Sequence, residues 1–110
     1  MRLVDLEASF RKLLDDRGSH AEVKSLSEAD GVMFLCPKCF VELRGKVGCH
    51  SVLCWFEDKV PDTLDPKPGR WKPVGAGLDD LTFVVGKKSN SVLLTSGCKW
   101  HGFVTNGDAS

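Results

Sequence analysis

Apolar residues recur at Leu3, Leu6, Phe10, Leu13 and Leu14, three and four positions apart with charges between them. That spacing lines one face of a helix, and it predicts an amphipathic N-terminal helix over residues 3–14 that stops at Gly18. Beyond it the period changes. Residues 21–26 read as a short strand and residues 27–31 as a turn. Residues 32–35, an apolar run between Gly31 and Pro37, read as a buried strand. Residues 50–56 (His-Ser-Val-Leu-Cys-Trp-Phe) form the next apolar segment. The proline-rich stretch 61–69 lacks a regular series of backbone donors and is a predicted loop, and Pro73 confines residues 71–74 to an edge strand. Residues 81–85 and 91–95 flank a connection of hairpin length and predict a β-hairpin. Asn106-Gly107 marks a tight turn after residues 102–105, and the short tail beyond it is expected to fray. The predicted class is mainly β (α+β): one antiparallel domain spanning residues 1–110, with a helix in 1–18 and a β-rich part in 19–110.

Composition narrows the picture. A chain of 110 residues with 42% hydrophobic and 27% charged residues has material for one modest core. Its 15 basic and 15 acidic residues cancel, so no global field draws it onto nucleic acid or an anionic bilayer. The basic residues Lys67, Arg70 and Lys72, like Lys87 and Lys88, are read as solvated surface. The N-terminus lacks the apolar stretch of a signal peptide, and no segment approaches the ~18 apolar residues of a membrane span, so a cytoplasmic location is expected.

The five cysteines are then ligands or buried thiols rather than a disulfide framework. Cys36-Pro-Lys-Cys39 and Cys98-Lys-Trp-His101 repeat one spacing, and two such pairs from separated segments close a tetrahedral zinc shell. The predicted centre is one structural Zn²⁺ held by Cys36, Cys39, Cys98 and His101, in a small zinc-stabilised, zinc ribbon-like β domain. A set in which His50 or Cys49 replaces one member stays open. His50 is otherwise placed beside the site as a hydrogen-bonding partner, and Cys54, between Leu53 and Trp55, is read as a buried free thiol. No catalytic pattern is present. His20-Ala-Glu22 ahead of Cys36 and Cys39 has the look of a zinc deaminase, but Leu35 rather than proline precedes Cys36, and Cys98 and His101 would be idle.

Met33-Phe-Leu-Cys-Pro-Lys-Cys39, His50-Ser-Val-Leu-Cys-Trp55, Pro68-Gly-Arg-Trp71, Asp80-Leu-Thr82 and the run from Ser91 to Phe103 together resemble a family of small uncharacterised proteins of tailed bacteriophages and prophages, a domain of unknown function. The resemblance implies a phage or prophage origin, a host-cell cytoplasmic setting and the Cys36, Cys39, Cys98, His101 set as a family feature. It brings no activity with it. The reading is a binding or accessory protein that contacts a host or phage protein through the loop of residues 61–70, Trp71 and the helix of residues 3–14. The alternatives are a zinc-dependent hydrolase or deaminase-like enzyme and a nucleic-acid-binding zinc ribbon.

Overall fold

Alternating burial sorts the strands of the first half of the chain into one antiparallel sheet. A computed structural model describes every residue except Ser96. Strands β1 (Ser9–Leu13), β2 (His20–Val23), β3 (Gly31–Leu35) and β4 (Ser51–Trp55) lie in the order β2-β1-β3-β4. The second half supplies two-stranded ribbons, β5 (Lys72–Val74) with β6 (Thr82–Val84), β7 (Val92–Leu93) with β8 (His101–Gly102), and β9 (Val104–Thr105) with β10 (Asp108–Ala109). The only α-helix among the described residues is α1 (Pro37–Glu42), between β3 and β4. The β-rich antiparallel class expected from the sequence is the class observed.

The N-terminal helix is not observed. Leu3–Leu6 forms a 3₁₀ turn, Glu7 adopts a left-handed φ of 51° that ends it, and β1 follows. Leu3, Leu6 and Phe10 are all buried, which is why the spacing reads as helical. The strand prevails because β1 sits between β2 and β3 and exchanges backbone bonds on both sides; a helix there would leave both neighbours with open edges. Leu14, which completes the helical stripe, is exposed.

The predicted hairpin of residues 81–85 and 91–95 also gives way to other pairings. β6 pairs with β5, and β7 pairs with β8. The connection is held elsewhere: Glu57 accepts a hydrogen bond from the Lys87 amide (2.8 Å), and a Cβ at Gly86 would stand 2.4 Å from the same carboxylate. Trp71 stacks on Phe83 with ring centroids 5.8 Å apart and donates its indole N–H to the Ser91 carbonyl at 3.0 Å.

Asn106 (φ 50°) and Gly107 (φ 77°) form the expected tight turn, but the tail after it does not fray. Ala109 is buried, its amide donates to the Met1 carbonyl (2.8 Å), and the Met1 ammonium donates to the Ala109 carbonyl (2.8 Å). Ser110 and Phe103 exchange both backbone bonds.

Each of the three tryptophans packs over a glycine: a Cβ would lie 2.7 Å from the Trp55 ring at Gly31, 2.4 Å from the Trp71 ring at Gly69, and 2.6 Å from the Trp100 ring at Gly102. Trp55 is buried, donates to the Asp65 carbonyl (3.0 Å) and meets His20 edge-on at 5.7 Å.

The proline-rich loop is shaped by Arg70. This residue, expected on the surface, is only 2% exposed. Its guanidinium donates to the carbonyls of Val60 (3.2 Å), Pro66 (2.7 Å), Gly69 (2.7 Å), Leu64 (2.7 Å) and Pro61. A buried charge is tolerable when its donors are all used, and a loop poor in N–H groups needs an outside donor for its carbonyls. Arg70 is therefore a scaffold for the loop and is not available as a contact residue.

Arg70→Met should cost at least about 3 kcal/mol, because it strands several buried acceptors. Arg70→Lys should recover only part of this, since an ammonium lacks the planar fork. Urea midpoints read both, and a loss for Arg70→Met below about 0.5 kcal/mol, the ordinary surface range, would rule the scaffold out. His20 Nδ1 accepts a bond from Arg11 Nε at 2.9 Å. Burial and then the Arg11 charge hold its pKa below the ordinary 6.5. The unfolded chain thus takes up the proton first, so this contribution to stability is full above about pH 6.5 and is lost as pH falls toward the depressed value. Titration by NMR should show a depressed pKa and the Nε2–H tautomer.

Candidate metal centre

The first pair of donors is fixed where β3 runs into α1. Cys36 caps the helix, and Pro37 occupies its first turn, where the missing N–H costs nothing. Cys39 lies one helical turn on. The Cys36 carbonyl accepts from Phe40 N–H at 2.9 Å, so the turn is closed by its own backbone.

The second arm comes from the turn before β8. Gly97 (φ 66°) and Lys99 (φ 56°) are left-handed on either side of Cys98. Trp100 anchors this turn: it is buried, meets Phe34 edge-on at 6.1 Å, and directs its amide at the Cys98 sulfur. Lys38 Nζ donates to the Cys98 carbonyl at 2.8 Å and ties the two arms together. The third arm is His50, on the residue before β4, whose carbonyl accepts from Cys36 N–H at 2.9 Å.

One donor atom each from Cys36, Cys39, His50 and Cys98 lies within 4.8 Å of every other. Cys36 Sγ is 3.4 Å and His50 Nε2 is 3.2 Å from Cys98 Sγ. Tetrahedral arms of ~2.3 Å to sulfur and ~2.0 Å to nitrogen require separations between ligand atoms of roughly 3.5–3.8 Å, inside the observed span. The four residues could bind one metal ion. Without a cation the group resists multiple ionisation. The His50 imidazole lowers the Cys98 thiol to about 6, whereas desolvation, followed by the hydrogen bond with Cys98, raises Cys39 to about 12, and burial raises Cys36. Three sulfurs this close need a positive charge among them to exist together as thiolates.

The structure brings together Cys36, Cys39 and Cys98 of the predicted set and puts His50 in the fourth position. His101 is in strand β8, exposed, with its ring 6.1 Å from Phe103. Strand alternation gives the reason: Trp100 points inward to Phe34, so its neighbour His101 points away. His50 enters through register. Gly31 pairs with Trp55 and Leu35 with Ser51, and continuing that register by one step sets Cys36 opposite His50. A sequence reading that aligns the two strands from their apolar residues could find this partner. Cys49 stands just outside, its thiol donating to the Cys36 carbonyl at 3.3 Å. Cys54 is buried in the core, where desolvation strongly raises its pKa.

Comparison with models of protein families, with curated proteins and with solved structures finds no match for this chain.

Removing His50 or His101 separates the two assignments. His50→Ala should weaken metal affinity by more than the roughly 10–100-fold that a lost outer hydrogen-bonding partner costs, and His101→Ala should leave it unchanged. A competition titration against a chromophoric chelator gives both numbers, and the reverse ranking would reinstate His101.

Proposed function

We propose that the cluster holds a single zinc ion in a closed structural site, and that the protein is a zinc-stabilised binding or accessory protein of phage or prophage origin. The observation that carries the zinc reading is the convergence of three sulfurs and one imidazole from three separate segments. Three cysteines and one histidine make a donor set typical of structural zinc, whereas iron–sulfur clusters and iron tetrathiolate sites draw on four cysteines. Four protein donors fill a tetrahedron and leave no vacant position for a substrate. The phage origin rests on the sequence resemblance alone.

The position of the ligands supports a stabilising role. Cys36 and Cys98 are 62 positions apart. Closing so long a segment removes on the order of 4 kcal/mol of unfolded-state freedom in the chain-entropy model, and structural zinc supplies a larger gross term of ~10–16 kcal/mol in small modules. The deaminase-like alternative loses its proton shuttle, since His20 and Glu22 stand on β2, separated from β3 by β1. For a nucleic-acid role, the cancelling charges offer no support.

Freshly purified protein should contain one zinc per chain by elemental analysis, and a tight chelator should lower the melting temperature by about 15 °C or more, the shift that ~4 kcal/mol produces in a domain of this size. The cobalt-substituted protein should show a tetrahedral, thiolate-rich spectrum that added anions leave unchanged. An unaltered melting temperature after chelation would remove the structural role, and an anion-sensitive cobalt spectrum would open the shell.

A further inference from the structure

β4 is an edge strand, and the groups along its free side can be identified. Cys36 N–H bonds to the His50 carbonyl and Phe56 N–H to the Asp30 carbonyl. These bonds set the phase of the antiparallel ladder, so residues 50, 52, 54 and 56 turn their backbone groups to β3 while Ser51, Leu53 and Trp55 turn theirs away. Trp55 confirms this, because its carbonyl accepts from Trp71 N–H at 3.1 Å on the side opposite β3.

Leu94 N–H bonds to the Trp100 carbonyl, and Val92 is opposite Gly102. Ser91 and Leu93 therefore turn their backbone groups away from β8, and the Ser91 carbonyl accepts the Trp71 indole N–H. Trp71 stands between the two edges, bonded to β4 through its main chain and to β7 through its ring. Its pairing with Phe56 is a parallel bridge, so one residue of the chain already occupies a strand position between them.

Beyond Trp71 that position is open. A cleft of about 510 Å³ is lined by Trp71, by Val52 and Leu53 of β4, by Val92 and Leu93 of β7, and by His50. Its volume is in the range of ligand-binding pockets. Val52 and Val92 are buried, whereas Leu93 is 58% exposed. Among the described residues Lys67 is the one Lys or Arg on its wall, and no acidic side chain lines it.

We propose that this cleft is a docking slot for an extended peptide segment of a partner protein. The segment adds a strand along β4 and bonds to the outward N–H groups of Ser51 and Leu53 and to the Leu53 C=O, while the Ser51 C=O already faces His50 Nδ1 at 3.4 Å. It places small apolar side chains over Val52 and Val92 and an acidic residue near Lys67. Main-chain bonding to a free edge gives affinity, and the side-chain pockets give selectivity. This gives chemical content to the partner-binding role proposed above and rests on it, but it does not depend on the metal being zinc.

The test uses the metal-loaded full chain, ¹⁵N-labelled, and a synthetic peptide of alternating valine and threonine with one terminal glutamate. Addition should shift the Ser51, Leu53 and Leu93 amide signals and slow exchange of the Ser51 and Leu53 amides. The same peptide N-methylated at alternate residues should bind at least tenfold more weakly, and Lys67→Glu should weaken binding several-fold with the zinc content unchanged. Silence of these amides up to millimolar peptide would overturn the proposal, as would equal binding of the N-methylated peptide. Concentration-dependent shifts of the same amides without peptide would overturn it in favour of a second copy of this chain. Zinc content measured on the same sample keeps the two readings apart: a loaded protein that ignores the peptide refutes the slot alone, and a zinc-free protein that binds it refutes the metal reading alone.

Discussion

The backbone bond from the Cys36 amide to the His50 carbonyl is the constraint on which the rest of the molecule turns. It is the last rung of the β3–β4 ladder, and it sets a thiol and an imidazole side by side at the point where the sheet ends. Everything between them, α1 and the turn that follows it, is an excursion whose two ends are already joined. The chain thus has a preformed half-site within 15 residues, completed by Cys39 from inside the excursion. Only Cys98 has to arrive from afar, and Trp100 delivers it by burying itself against Phe34.

This arrangement joins two unequal halves. The first is a continuous sheet with Val32, Phe34 and Cys54 in its core, whereas the second consists of short ribbons that cannot stand alone. They are stitched by the Leu3 amide on the Gly107 carbonyl, by Trp71 on the β4 edge, and by the sulfur cluster. Each stitch lies in a different place on the sheet: the N-terminal turn, the far end of β4, and its beginning. Ribbons fastened at several separated points share the cooperativity of the sheet even though each is only two or three residues long.

Much of this was legible in the residues. Strands β2, β3 and β5, the proline loop and the Asn106-Gly107 turn follow from apolar runs and turn chemistry, and the three clustered cysteines from their spacing. The failures share a cause, which is that local periodicity is silent about partners. Leu3, Leu6 and Phe10 suit a helix and equally suit a 3₁₀ turn followed by a strand, and only the presence of β2 and β3 on either side decides. Residues 81–85 and 91–95 suit a hairpin, but Pro73 and Trp71 offer β6 a nearer neighbour, and Glu57 holds the connection. His101 shares the motif spacing of Cys39, yet helical geometry at Cys39 and strand geometry at His101 send equal spacings in different directions.

The guanidinium at the centre of the proline loop has an evolutionary consequence. Its hydrogen bonds go to main-chain oxygens, which every amino acid carries, and the Asp62 carboxylate adds an ion pair at 3.9 Å. The side chains of Thr63 and Lys67 are thus spectators to the shape of the segment that bears them. Such a segment can be rewritten chemically, residue by residue, while its contour stays constant, which frees recognition to drift without endangering the architecture beneath.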